Sequence, residues 1–178
     1  TLSSSSAASD VYKRQRLDRL KKICNHSQIS KDILLAVLLI DKKNNHEYFA
    51  HKYNISNEIR DNLNLIAKGL RLVKEDKDYF DKDLEKNIYF SNKNHLINLN
   101  ILNCVNNSKY KYKDFSEILK KILQSKTHFL PIDGKYLIKK GMKEGSTIGI
   151  VLKIIEDEWI KNGFKISKGR VEEIIKSN

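Results

Sequence analysis

Proline, tryptophan and methionine occur once each in these 178 residues, and cysteine occurs twice. Cys24 and Cys104 share no short spacing, and they fit a reducing cytosol and buried apolar roles far better than a metal site or a disulfide. No apolar run approaches the ~18 residues of a membrane span. The longest, residues 33–40, has the length of a buried helix. Alternating apolar and polar residues, the mark of a half-buried strand, are nearly absent. The Lys109–Lys113 alternation of lysine and tyrosine is too short and polar to found a sheet. No repeat period is present.

What the chain has instead is lysine. The formal net charge is +12, and lysines outnumber arginines 28 to 6. A basic chain suits a polyanionic partner. Abundant lysine, asparagine and isoleucine also fit an AT-rich genome, in which codon bias raises the charge by itself. Charge placed beside a structural feature therefore weighs more than the total.

Residues 1–15 stand apart. Ser5-Ser-Ala-Ala-Ser-Asp-Val-Tyr-Lys-Arg-Gln15 back-translates, in one frame and without a gap, to a transposon-derived sequencing adapter. It has no apolar h-region, so it does not read as a signal peptide. This segment is expected to be non-native and disordered, with the native chain cut upstream of Arg16. Without it the net charge is +11, because Asp10, Lys13 and Arg14 go with it.

Helical periodicity covers most of the rest. Leu17, Leu20, Ile23 and Cys24 form a stripe over residues 16–25. Ser30 is placed to cap a helix over 31–40, whose apolar residues run almost all round and predict a central position. Asn44 and Asn45 mark a loop, and 47–53 reads as a short helix. Ser56 opens a helix through Leu72 with Ile59, Leu63, Ile66 and Leu70 on one face. Residues 75–83 read as a charged connector. Helices follow over 86–106 (Leu96, Leu99, Ile101, Leu102, Val105) and 113–124 (Phe115, Ile118, Leu119, Ile122). The fold class is all-α: a helical body over 16–125 and a helical-hairpin tail over 126–178.

The tail carries the densest punctuation. Residues 129–159 hold the proline, the tryptophan, the methionine and four of the seven glycines. Pro131 is expected to stop the preceding segment. Asp133 is a natural N-cap for a helix over 134–140, and Gly141 falls where a C′ residue needs a left-handed backbone. Ser146 or Thr147 can cap a second helix carrying Ile148, Val151, Leu152, Ile155 and Trp159. Gly149 inside it suggests close backbone approach. Gly134, Gly141, Gly145 and Gly149 are structural requirements of the turn. Amides at such a turn, flanked by Lys139, Lys140 and Lys143, can cradle phosphate. A solvated hairpin that needs glycine to turn reads equally well.

Pro131-Ile-Asp-Gly-Lys-x-Leu-Ile-x-x-Gly-x-x-x-Gly-x-x-Ile-Gly-x-x-Leu-x-x-x-Glu-x-x-Trp159 resembles the tail of bacterial tRNA nucleotidyltransferases, the CCA-adding enzymes and the related bacterial poly(A) polymerases. Leu34-Leu-Ala-Val-Leu-Leu39, Phe49–Tyr53 and Ile55-Ser-Asn-Glu-Ile-Arg60 resemble the body of the same enzymes, with Glu58 one place early. The resemblance implies a segment that grips tRNA far from the chemistry. It places Mg2+ and CTP or ATP in a head absent from this segment, in a cytoplasmic protein.

The residues agree that chemistry lies elsewhere. In the enzymes that the chain resembles, the reaction needs two carboxylates on a strand beside a Gly-Ser turn, holding metal against the nucleotide's phosphates. Gly145-Ser146 has no Asp-x-Asp after it, and Asp76, Asp78, Asp81 and Asp83 lie in a polar linker that reads as a solvated charge run. His26, His46, His51, His95 and His128 are scattered and read as surface or partly buried. No catalytic or metal-binding residue is assigned, and the segment alone is expected to be inactive. Phosphate contacts are assigned to Lys135, Lys139, Lys140, Lys143, Lys153 and Lys161, followed by Lys165, Lys168 and Arg170. Tyr136 and Trp159 read as core. Two other readings stay open: a helix-hairpin-helix-like module gripping nucleic acid without regard to sequence, and an interaction domain basic only through codon bias.

Overall fold

The structure, a computed structural model, describes residues 2–23, 29–41 and 45–177, with side chains from Asp10 onward. Cys24, His26 and Asn44 lie outside the described residues. Those residues form ten helices and no strand. None is long and apolar enough to cross a membrane. The chain divides into two compact units, Thr1–Ser125 and Lys126–Asn178.

The first unit holds α1 (Leu2–Ile23), α2 (Lys31–Leu39), α3 (Asn45–Tyr53), α4 (Asn57–Glu75), α5 (Leu84–Phe90), α6 (Lys93–Asn106) and α7 (Tyr112–Gln124). Its hub is α6, which packs on α1, α2, α4, α5 and α7. Leu96, Leu99, Leu102 and Val105 on α6 are fully buried, each worth about 1.5–3 kcal/mol of apolar transfer. The central role expected of α2 belongs to α6. Helix α2 is apolar on nearly every side, yet Leu34 stays exposed while Ile33, Ala36 and Val37 face the core. Asn100 is buried on α6 and satisfied, donating to the Phe115 carbonyl at 3.0 Å and accepting from the Tyr110 hydroxyl at 3.1 Å.

The stripes on α4 and α7 pack inward, with Leu63, Ile66 and Leu70 and then Phe115 and Ile122 buried. Ser30 and Ser56 accept from the third amide beyond each, of Ile33 at 3.3 Å and Ile59 at 3.4 Å, as N-caps do. The helix expected over 86–106 is broken in two. The Ser91 hydroxyl bonds back to the Asn87 carbonyl at 2.6 Å, and the Asn92 side chain accepts from the His95 amide at 2.8 Å, starting α6 afresh. Short polar side chains compete with the helical ladder in this way. In the charged connector, Phe80 is buried and anchors the turn to the core.

The N-terminal segment differs from expectation. Helix α1 begins at Leu2, so the stretch read as disordered is helical. Among the described side chains the first buried one is Arg16, whose Nη2 donates to the carbonyl of Ile40, the C-cap of α2, at 3.1 Å. Arg19 does the same for Val105 on α6 at 3.0 Å. Both cations sit where a helix C-terminus concentrates carbonyl dipoles. Burial lowers the Arg16 pKa, and the neighbouring Tyr12 and Asp41 oppose that shift.

The second unit holds α8 (Gly134–Lys139), α9 (Ser146–Lys161) and α10 (Lys168–Lys176). Leu137, Val151, Ile155, Val171 and Ile174 form its core, with Ile132, Tyr136, Met142, Ile148 and Leu152 packed against them. Trp159 is also buried, as its place on the stripe predicts. Helix α10 has no counterpart in the sequence reading. Its signals are Ser167, which accepts from the Arg170 amide at 3.2 Å, and the apolar spacing of Val171, Ile174 and Ile175.

Candidate nucleic-acid interface

The tail turn is built by both ends of two helices. Asp133 caps α8, its Oδ1 accepting from the Tyr136 amide at 2.8 Å. At the other end the Gly141 amide donates to Ile138 at 2.9 Å and the Met142 amide to Leu137 at 3.2 Å. That pair of bonds is a Schellman motif, with Gly141 as the left-handed C′ residue at φ +99°. Met142, the next residue, packs on the core. Helix α9 then starts at Ser146 behind Gly145, and no side chain caps it. Neither Ser146 nor Thr147 takes the expected role. The first-turn amides of α9 are thus left without a side-chain acceptor.

Three other tail expectations change. Pro131 is exposed in the connection before α8; α7 already ends at Gln124, and the first residue of α8 is Gly134. Gly134 has ordinary space, since a Cβ there would meet Ile148 Cγ2 at 3.4 Å. Gly149 is exposed, and a Cβ on it would meet nothing within 4 Å, so no backbone approaches it in this structure.

The lysines sort by their partners. Lys140 Nζ sits 2.7 Å from Glu172 Oε1 and 5.9 Å from the centroid of the Tyr136 ring. The hydrogen bond to Glu172 raises the Lys140 pKa, and its counterpart lowers that of Glu172. Lys153 pairs with Glu156 at 2.8 Å and Asp157 at 3.0 Å. Arg170 forks onto Glu158, with Nε at 2.8 Å from Oε1 and Nη2 at 3.0 Å from Oε2, and reaches Glu173 at 3.0 Å. These three cations are already neutralised.

Lys135, Lys139 and Lys143 are exposed, and among the described residues no carboxylate pairs with them. Lys135 and Lys139 stand four residues apart on one face of α8, and Lys143 lies in the turn that follows. Lys161, Lys165 and Lys168 are exposed as well. Lys161 ends α9, about 22 Å along the helix from the turn, so it does not join that cluster.

The far end of α9 repeats the turn chemistry. Gly163 and Phe164 are both left-handed, at φ +64° and +62°, and their amides donate to Ile160 and Trp159 at 3.1 and 2.8 Å. His128 stacks on Phe164 with centroids 3.9 Å apart and planes 3° from parallel, while Trp159 meets Phe164 edge-on at 4.9 Å. Trp159 follows from its stripe, whereas its ring partners do not: His128 lies 31 residues away, and Phe164 is brought back by the left-handed turn at Gly163 and Phe164.

Nothing in the described residues forms a group of three or more metal-ligating side chains. In the acidic connector, Asp76 accepts from the Asp78 amide at 2.9 Å and Asp81 pairs with Lys121, the behaviour of a solvated turn. His46 and His95 are buried, deeper than their scattered positions suggested. Comparison with protein-family models, curated proteins and solved structures finds no match to this chain.

Proposed function

We propose that this chain is the tRNA-binding body and tail of a bacterial tRNA nucleotidyltransferase of the CCA-adding kind. The observation that carries the reading is the ungapped pattern from Pro131 to Trp159. Lys135, Lys139 and Lys143 support it, standing uncommitted beside a glycine turn and an uncapped helix start. Their ammonium groups hold backbone phosphates, which sets affinity and register without reading bases. Transfer of C and A to the tRNA 3′ end, with Mg2+ and CTP or ATP, belongs to a head outside these residues, in a cytoplasmic enzyme. Poly(A) addition by a relative of the same kind is the nearest variant.

A second reading draws on the geometry of α8, the glycine turn and α9, which is that of a helical hairpin. As a stand-alone hairpin module the chain grips any duplex backbone, so duplex DNA displaces tRNA freely. In the leading reading it does not. Replacing Lys135, Lys139 and Lys143 together by alanine lowers the salt slope of tRNA binding by about two to three. An unchanged slope removes the tail from the interface.

A further inference from the structure

Helix α3 presents an arrangement that the tail reading leaves unused. Tyr48 is 65% exposed and Tyr53 60% exposed, though each carries a large apolar ring. A single exposed aromatic is ordinary. Here one cation serves two: Lys52 Nζ lies 5.6 Å from the centroid of Tyr48 and 5.5 Å from that of Tyr53. Half-buried Phe49 supports Tyr53 from beneath, with ring centroids 4.8 Å apart and planes tilted by 44°. The lone carboxylate of α3, Glu47, lies toward His46, 3.9 Å from its Nε2.

We propose that α3 is a stacking platform for unpaired nucleotides, with Tyr48 and Tyr53 taking bases and Lys52 the phosphate between them. Aromatic rings beside a positive charge suit single strands, because every base has a π-face and every linkage an anion. A proline-rich peptide also docks between exposed tyrosines, but it brings no negative charge for Lys52. Bases paired in a duplex offer no face to such rings. This rests on the reading of the chain as RNA-binding and adds a second contact, in the first unit, to the lysines of the tail.

The test uses the full chain and a single-stranded oligouridylate carrying one 2-aminopurine, which is bright among weakly stacking uridines and is quenched when it stacks on an aromatic ring. The native chain quenches the probe, and a proline-rich peptide does not compete. Tyr48→Ala with Tyr53→Ala weakens binding about tenfold or more and removes the quenching. Tyr48→Phe with Tyr53→Phe keeps both, and Lys52→Ala lowers the salt slope by about 0.7. Tyr48→Ala alone, at the ring that does not pack on Phe49, guards against local unfolding, and far-ultraviolet circular dichroism checks the helix. Unchanged affinity and quenching in the alanine variants, or a native chain that ignores the probe, overturns the platform. So does a proline-rich peptide that displaces the probe. Loss of tRNA affinity in the Lys135, Lys139 and Lys143 variant alone leaves RNA binding standing and places none of it on α3. Loss in the tyrosine variants alone keeps the platform and removes the tail.

Discussion

Gly69 on α4 lies directly against Leu99 on α6. A Cβ built on Gly69 would fall 2.7 Å from Leu99 Cδ1, 2.8 Å from Cδ2 and 3.0 Å from His95 Nε2. Leu99 is fully buried at the hub of the first unit, so its methyl groups have no open side to move toward. The close approach expected of Gly149 is found here instead.

The same substitution therefore has opposite signs at two helical glycines. Gly69→Ala gains about 1 kcal/mol of helix propensity and loses about 1–3 kcal/mol to overpacking, so the first unit is destabilised by up to about 2 kcal/mol. Gly149→Ala meets nothing and gains about 0.5–1 kcal/mol. Urea unfolding of the two variants reads both signs. A stabilised Gly69→Ala protein would show that α4 and α6 do not pack this closely.

Gly141 separates backbone from space. Nothing lies within 4 Å of its Cβ position, yet its φ is +99°. Gly141→Ala costs about 1–2 kcal/mol through the left-handed backbone alone. Thermal unfolding that shows no loss would mean that α8 does not end in this motif.

Acid should weaken the first unit before it touches carboxylates. Burial lowers the pKa of both His46 and His95 from 6.5. Below that value the unfolded chain binds protons that the folded chain refuses, so stability rises with pH through this window and is lost as pH falls. Glu47 and Asp41 oppose the shift at His46, and Arg71 adds to it. A urea midpoint that holds steady from pH 7 to pH 5 excludes this account. Replacing His95 by an uncharged residue of similar size should flatten part of the slope.

Glu172 restrains one lysine of the proposed interface. Glu172→Gln releases Lys140 from its 2.7 Å ion pair. If the tail holds phosphates, the salt slope of tRNA binding steepens by about 0.7–0.9, one counterion more. A slope equal to that of the native chain places Lys140 outside the interface.

Much of the tail was legible because its signals are local. Asp133 as cap and Gly141 as the left-handed residue depend on amides within a few positions. The stripe from Val151 to Trp159 depends on helical period alone. The break at Ser91 and Asn92 was local too, and its signal, five polar residues from Ser91 to His95 ahead of the stripe that begins at Leu96, stands in the sequence.

All-α architecture and the helical faces were determined by the sequence itself, since period and capping act over a few residues. Only the tertiary structure decided which helix is the hub, which glycine is crowded and which cations are spent. Asn100 finds Tyr110 and Phe115, Gly69 finds Leu99, and Lys140 finds Glu172 across separations that no periodicity encodes. Charge and glycine count along the chain measure capacity. Whether a lysine remains free for a phosphate, or a glycine remains free for a methyl group, depends on which neighbour the fold brings within a few ångströms.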